Sequence, residues 1–127
     1  FPMDIHNPDG ASGYTEGEAG GSWVDLEDTY DIPFRCMIPA HIDGLVLSGR
    51  CISGTSEAHG SYRTQGGIMG IGQASGVIAG LAAKAGVEPR KADVKKVQDT
   101  LVSYGASVVR DEAKKAREEA HARKCVQ

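Results

Sequence analysis

The feature that most constrains this chain is a glycine-studded apolar run of helical period between residues 66 and 85. Along this run, apolar and small side chains recur at spacings of three and four residues, which places them on one face of a helix. These residues are Ile68, Ile71, Ala74, Ser75, Ile78, Leu81, Ala82 and Ala85. Gly86 comes next, and glycine is the residue that most often ends a helix. The run therefore predicts a helix that is buried along one face.

Three glycines lie four residues apart on another face of the same helix, at Gly72, Gly76 and Gly80. Each glycine costs about 1 kcal/mol relative to alanine inside a helix. Three of them in register predict that another backbone or a flat ligand comes close to this face. Simple packing of the helix against a sheet is the alternative, and periodicity alone does not decide between the two.

An apolar burst and a polar loop precede the predicted helix. Residues 42–48 predict a buried strand, and residues 49–65 predict a loop rich in Gly, Ser, Thr and charge. A strand, a glycine-rich loop and a helix together are how α/β proteins present backbone N–H groups to an anionic ligand. The residues before them predict a loop over 1–22, a short edge strand within 22–31 and a second strand over 30–37, where apolar residues alternate.

The C-terminal part predicts two further helices. One runs from about Asp93 to Ser103, with Asp93 as its N-cap and Gly105 at its end, after a linker that contains Pro89. The other, over residues 109–124, is rich in charge and has only a thin stripe of alanines. We expect this last helix to be solvated.

Several stretches that follow one another in the same order resemble the C-terminal end of FAD-dependent oxidoreductases. The resemblance is to a bacterial group with a glycine–arginine–cysteine signature in particular. The stretches are residues 30–39, 42–53 (ending in GRCIS), 57–61 (EAHGS), Arg63 and 69–76 (MGIGQASG). The resemblance covers roughly residues 30–104 and, loosely, 3–10. It implies an α/β fold, the C-terminal portion of a Rossmann-type FAD-binding flavoprotein with few strands and two to three helices. It also implies that residues 1–40 belong to a substrate or cap region, 41–86 to the FAD-binding domain and 87–127 to C-terminal helices.

The resemblance implies which residues contact FAD. Gly49 and Arg50 stand where the family contacts the diphosphate and ribityl region, and Arg50 replaces the acidic residue common there. An arginine can pair with phosphate through two parallel hydrogen bonds. The amides of Gly66, Gly67 and Ile68 would face the flavin from the amino end of the helix. These five residues are the expected cofactor-binding set.

The dinucleotide-binding fingerprint of such flavoproteins is missing. No G-x-G-x-x-G turn with an acidic residue about 20 positions later occurs, and residues 67–72 have the wrong spacing. We therefore expect a fold that is incomplete on its own, whether as a fragment, a separate subunit or a truncated product. FAD binding and activity are expected only together with the missing N-terminal nucleotide-binding portion.

Three polar residues between positions 57 and 63 are candidates for chemistry. His59 is the expected catalytic residue, since an imidazole beside the flavin can take or give a proton. Arg63 is the expected substrate-binding residue, because a guanidinium orients anionic or hydroxylated molecules. The structural alternative is that Arg63 simply pairs with Glu57. No metal-ligand spacing or nucleophilic triad is present, so no metal is expected.

Composition narrows the partners and the compartment. Aromatic residues make up 6% of the chain and glycines number 17, which predicts a weak core that packs on other protein. The net charge of −3 argues against nucleic acid as the main partner. Cys36, Cys51 and Cys125 form no C-x-x-C pair, so we expect free thiols and a cytoplasmic protein, with a Cys36–Cys51 disulfide as the alternative. Residues 66–83 approach the length of a membrane span, but Gln73, Ser75 and many Gly and Ala argue against one.

Two functions from different classes remain. The chain is expected to be the C-terminal part of an FAD-dependent oxidoreductase acting on a small molecule, with the remainder of the flavoprotein or a larger subunit as its partner. The alternative is a non-catalytic structural or interaction piece that has lost FAD binding. The sequence identifies neither the substrate nor the electron acceptor.

Overall fold

The computed structural model describes residues 2–6, 21–26 and 29–108. In this part of the chain lie two strands, β1 (Met3–His6) and β2 (Gly21–Val24), and three helices, α1 (Ser56–Tyr62), α2 (Gln65–Ala85) and α3 (Val94–Ser103). Short 3-10 turns occur at Phe34–Met37, Gly49–Cys51 and Pro89–Lys91. The mixed α/β class with few strands and three helices is confirmed. The helix expected over residues 109–124 and Cys125 lie outside the described residues.

The helix α2 confirms the glycine-studded run as the centre of the fold. Its buried positions are Ile71, Ser75, Ile78 and Ala82, which are the three- and four-residue spacings that the sequence contains. Gly86 adopts a left-handed φ of 66° and donates its N–H to Ala83 O at 3.1 Å, which ends the helix as expected. The helix α3 is also confirmed, since the Asp93 carboxylate accepts a hydrogen bond from Lys96 N at 3.2 Å.

The core lies between α2, α3 and the irregular chain from residue 32 to residue 52. Its buried members are Met37, Ile52, Tyr62, Ile71, Ile78, Val97 and Leu101. Ile78 retains only 1% of its surface, and full burial of such a side chain stabilises a fold by about 1.5–3 kcal/mol. Ser75 Oγ lies 2.9 Å from Leu47 O, and this contact ties α2 to the irregular chain.

The predicted strand over residues 30–37 is wrong. Its second half is a 3-10 turn, because Pro33 precedes it in an extended conformation and the Pro33 carbonyl accepts the N–H of Cys36 at 2.9 Å. Arg35 is exposed and Met37 is buried, although a strand would place both on one face, so burial here follows the turn and not the alternation. The edge strand expected within 22–31 is present as β2, although it is shorter and begins at Gly21.

The predicted buried strand over residues 42–48 is also wrong within the described part of the chain. Gly44 has a left-handed φ of 70° and donates its N–H to the Glu88 carboxylate at 2.7 Å, so no ladder begins there. Residues 45–48 belong to no helix or strand, and their one backbone–backbone hydrogen bond within the described residues runs from Leu47 N to Met37 O at 2.7 Å. Ile42 is 58% exposed. The apolar burst thus has no strand partner among the described residues.

Two segments predicted as loops contain regular structure. Residues 3–6 of the expected N-terminal loop form β1, which pairs antiparallel with β2 in the register Met3 to Val24. Residues 56–62 of the expected glycine-rich loop form α1. Thr55 starts α1 by accepting a hydrogen bond from Ala58 N at 3.2 Å. Both elements pack on each other, since α1 lies against β1.

Candidate functional site

The turn Gly49–Cys51 lies against α2 and brings two expected cofactor residues to one end of that helix. Gly49 has a left-handed φ of 71°, a conformation that favours glycine. Arg50 Nε donates a hydrogen bond to Arg63 O at 3.0 Å. Because Arg63 directly precedes Thr64, the N-cap of α2, this bond fixes Arg50 beside the amino end of the helix.

The amino end of α2 has no side-chain cap. The hydroxyl of Thr64 donates to Ser61 O at 3.5 Å and accepts no amide of the helix. The amides of Gly66 and Gly67 have no acceptor among the described residues. The Ile68 amide is different, since it donates to Thr64 O at 3.0 Å. The expected set of ligand-facing amides therefore narrows to Gly66 and Gly67, because the N–H of Ile68 is already used within the helix.

His59 lies on α1, not on a loop as the sequence predicted. Its side chain is half-buried, and its ring meets Tyr62 edge-on, with ring centroids 5.3 Å apart at an interplanar angle of 83°. Edge-to-face aromatic pairs of this kind hold ring orientation. The structure thus gives the imidazole a fixed neighbour, and its catalytic role stays a prediction.

Arg63 binds Asp4 rather than Glu57. Its Nη2 donates to Asp4 Oδ2 at 3.0 Å and to the Asp4 carbonyl oxygen at 3.2 Å. The structural alternative from the sequence, a pair with Glu57, is therefore wrong. Glu57 instead lies in the first turn of α1, where a hydrogen bond at its own backbone and then one with the Thr55 side chain lower the pKa of its carboxyl. The substrate-binding role of Arg63 stays a prediction, and its guanidinium already has a carboxylate partner.

A group of hydroxyls near α1 was not predicted. The Tyr30 hydroxyl donates to Ser61 Oγ at 2.6 Å, and the Tyr62 hydroxyl donates to Ile52 O at 3.2 Å. Burial raises the pKa of Tyr62, and the negative forms of Cys36 and Tyr30 add smaller effects. Ser61 and Tyr62 of this group lie on α1, and the sequence signal for α1 is Thr55, a helix-capping residue followed by Glu57.

The face of α2 that carries Gly72 and Gly76 is open. It borders a groove of about 600 Å³ between α2, residues 44–48 and residues 87–89. A Cβ at Gly72 would meet only Ser48 Oγ, at 3.8 Å, and a Cβ at Gly76 would meet nothing within 4 Å. The close backbone or ligand expected at these glycines is therefore not supplied by the described part of the chain.

Within the described residues, Cys36 and Cys51 are free, which confirms the thiol interpretation for these two. No group of three or more His, Cys, Asp or Glu that could hold a metal ion occurs in the same part of the chain. By length and composition alone, α2 meets the requirements of a membrane span, and 22% of its apolar window is buried. A core helix of a soluble protein can have the same length and composition, so the absence of a span stays a prediction.

Comparison with known proteins gives one family. A family model described as FAD dependent oxidoreductase matches residues 1–101. No curated protein and no solved structure matches the chain significantly. The matched range includes β1, the Gly49–Cys51 turn, α1, α2 and most of α3. The chain belongs to the FAD dependent oxidoreductase family.

Proposed function

We propose that this chain is the C-terminal part of an FAD-dependent oxidoreductase and that it closes the flavin site with the amino end of α2. The observation that carries the proposal is the bond from Arg50 Nε to Arg63 O. Because Arg63 directly precedes the N-cap of α2, this bond holds Gly49–Arg50 near Gly66–Gly67. These two groups of expected cofactor residues are 16 or more positions apart in the sequence.

The described residues fit an electron-rich group of the cofactor. Gly66 and Gly67 offer amides without an acceptor among the described residues, at the positive end of a 21-residue helix. A Cβ at Gly66 would have nothing within 4 Å, so a ligand can approach the backbone there. Arg50 is exposed and carries a positive charge beside the same helix end. FAD, when bound, supplies the electron-transfer chemistry, and these residues bind and orient it.

Within this proposal His59 is the residue that moves a proton. It lies on α1, four residues before Arg63, and Arg63 connects α1 to the amino end of α2. A neutral imidazole has one donor and one acceptor nitrogen, so it can take a proton from a small-molecule substrate and release it. Tyr62 holds the ring edge-on, which favours one orientation.

The nucleotide-binding portion is proposed to lie outside these 127 residues, in the remainder of the flavoprotein or in a larger subunit. The missing G-x-G-x-x-G turn supports this, because the family anchors the FAD pyrophosphate there. The open groove beside α2 supports it as well, since a helix face with Gly76 exposed suits contact with further protein. We propose a cytoplasmic enzyme without a membrane span or a nucleic-acid partner.

A non-catalytic interaction piece is the second candidate. The open face of α2 favours it, because that face is explained by packing and needs no flavin. The two candidates differ in one respect: His59 has a catalytic role only if the chain is part of an oxidoreductase.

The test uses two preparations. The 127-residue chain alone should not bind FAD at micromolar concentration, because the pyrophosphate site lies outside it. Together with the nucleotide-binding portion, the protein should be yellow. His59→Ala should leave it yellow and slow flavin reduction by substrate by about 10²–10⁴-fold. Tight FAD binding by the isolated chain, or unchanged reduction in the His59 variant, would contradict the proposal.

A further inference from the structure

Arg63 occupies a joint between two helices. Its N–H donates to His59 O at 3.1 Å, which ends α1, and the next residue, Thr64, is the N-cap of α2. No flexible linker separates the two helices. Any force that holds Arg63 therefore also holds the first turn of α2, which carries the amides of Gly66 and Gly67.

The Arg63 side chain reaches across to β1. The same Nη2 atom donates to the carboxylate and to the main-chain carbonyl of Asp4, 59 residues away in the sequence. The Asp4 side chain is 16% exposed and that of Arg63 is 34% exposed, so the pair is shielded in part from solvent. A partly buried pair with charge-assisted hydrogen bonds is stronger than an ordinary surface ion pair.

The packing of β1 on α1 leaves no room at Gly60. A Cβ there would lie 2.9 Å from Asp4 O and 3.2 Å from Ile5 Cγ1. The strand therefore sits directly on the backbone of α1, and Arg63 fastens it at the carboxyl end of that helix. Both Arg63 hydrogen bonds and the close approach at Gly60 involve Asp4, so this one residue fixes where β1 packs on α1.

The main chain of Arg63 fastens a second segment. Its carbonyl oxygen accepts the hydrogen bond from Arg50 Nε at 3.0 Å. Arg63 thus links β1 through its side chain and the Gly49–Cys51 turn through its backbone, at the residue before the N-cap of α2.

We propose that Arg63 is a positioning residue, which sets the place of the α2 amino end and of Arg50 by clasping Asp4. The clasp is defined as Asp4, Arg50 and Arg63. The consequence for the flavin rests on the function proposed above, whereas the clasp itself does not. A residue that contacted substrate directly would instead direct its charged nitrogens to the ligand, and here Nη2 of Arg63 donates to Asp4.

The experiment compares Arg63→Met with Arg90→Met. Arg90 is a matched control, because its guanidinium also binds one carboxylate, Asp43 at 2.7 Å, and main-chain carbonyls of Pro39 and Ile42. In the 127-residue chain, amide hydrogen exchange is followed at Ile68, whose N–H is donated to Thr64 O. Arg63→Met should speed this exchange about tenfold, and Arg90→Met should leave it unchanged.

A milder variant, Asp4→Asn, keeps the carbonyl contact of Arg63 and serves if Arg63→Met does not fold. It should speed exchange at Ile68 in the same direction and to a smaller extent. Unchanged exchange at Ile68 in a folded Arg63 or Asp4 variant overturns the clasp.

The flavin readout follows in the protein that includes the nucleotide-binding portion. Arg63→Met should weaken the binding of added FAD and shift the flavin absorbance bands, with partial rescue by Arg63→Lys. An FAD affinity and a flavin spectrum equal to those of the parent protein overturn the consequence proposed for the flavin. Faster exchange at Ile68 in a protein that never binds FAD supports the clasp and contradicts the proposed function instead.

Discussion

Glycines at two places on the helices meet opposite surroundings. At Gly60 and Gly67, a Cβ would lie 2.9 Å from a main-chain oxygen, of Asp4 and of Tyr62 respectively. At Gly76 and Gly80 on α2, a Cβ would meet nothing within 4 Å. We call the first region the junction (residues 4–5 and 60–67) and the second the open face (Gly72, Gly76 and Gly80). The junction needs glycine for contacts made by this chain, and the open face does not.

The difference separates a region where the described residues pack against the glycine positions from a region where they do not. A glycine inside a helix costs about 1 kcal/mol, so three on one face are a sizeable cost for a chain with few aromatic residues. At the junction, the cost of Gly60 is offset by close packing of β1 on α1. At the open face, no described residue offsets it. This contrast supports the proposal that further protein or cofactor covers the open face.

The largest effect is expected at the junction. Gly60→Leu should lower the free energy of unfolding by about 1–3 kcal/mol or more, because the new side chain must push β1 away from α1. Gly80→Leu is the control, since it has open space and improves helix propensity by up to about 1 kcal/mol. Urea unfolding of the 127-residue chain measures both. Equal unfolding midpoints for the two variants would remove the distinction between the regions.

Gly76→Leu tests whether the open face is covered. In the 127-residue chain this change should be neutral or slightly stabilising, because its Cβ has no neighbour within 4 Å. In the protein with its nucleotide-binding portion, it should destabilise by about 1–3 kcal/mol through overpacking. Lys95→Leu, on the exposed side of α3, is the control for added apolar surface. If Gly76→Leu and Lys95→Leu change the melting temperature equally in both preparations, no further protein covers the open face.

A smaller effect is expected from Tyr62→Phe at the junction. The hydroxyl donates to Ile52 O, and loss of such a bond costs about 1 kcal/mol near neutral pH. Burial raises the pKa of Tyr62, so its contribution is fully present below the ordinary tyrosine pKa and is lost as pH rises through the folded-state pKa. Tyr62→Phe should therefore lose less stability than the parent protein above about pH 10.

Tyr104→Phe is the control for that experiment, because Tyr104 is 68% exposed. Denaturant unfolding between neutral and alkaline pH measures the two variants against the parent chain. A Tyr62→Phe curve that runs parallel to the parent curve at alkaline pH would mean that the junction does not bury this hydroxyl.

The long helices could be predicted because their signals are local. α2 has an apolar period and Gly86, and α3 has Asp93 and Gly105, so each carries its own start or stop. The strand expected over residues 42–48 failed for the opposite reason. An apolar burst becomes a strand only when a neighbouring strand accepts its hydrogen bonds, and the described chain offers none.

The candidate site could be predicted in part. Resemblance to the family indicated Gly49, Arg50, Gly66 and Gly67, and the structure brings the Gly49–Cys51 turn to the amino end of α2. The partner of Arg63 could not be predicted, since Asp4 lies 59 positions away and no local pattern connects them. α1 was missed because Gly60 and polar residues resemble a loop, although Thr55 is a valid N-cap.

The smallest effect is expected at the start of α1, where Glu57 lies in the first turn. Hydrogen bonds at its own backbone and then with Thr55 lower the pKa of its carboxyl. A lowered folded-state pKa contributes stability that is present above the ordinary glutamate pKa and is lost as pH falls through the folded-state value. Glu57→Gln should therefore be slightly less stable than the parent chain at neutral pH. The two unfolding curves should converge below about pH 4.5.

Thr55→Ala separates this charge effect from the cap itself. Its hydroxyl accepts the N–H of Ala58, a bond that does not depend on the carboxylate, and loss of an N-cap costs about 1 kcal/mol. The stability difference of Thr55→Ala should therefore persist at low pH, where that of Glu57→Gln has disappeared. A difference for Glu57→Gln that stays constant from neutral to acid pH would show that its carboxylate does not stabilise α1. The start of α1 would then be stabilised by the Thr55 cap and not by the charge of Glu57.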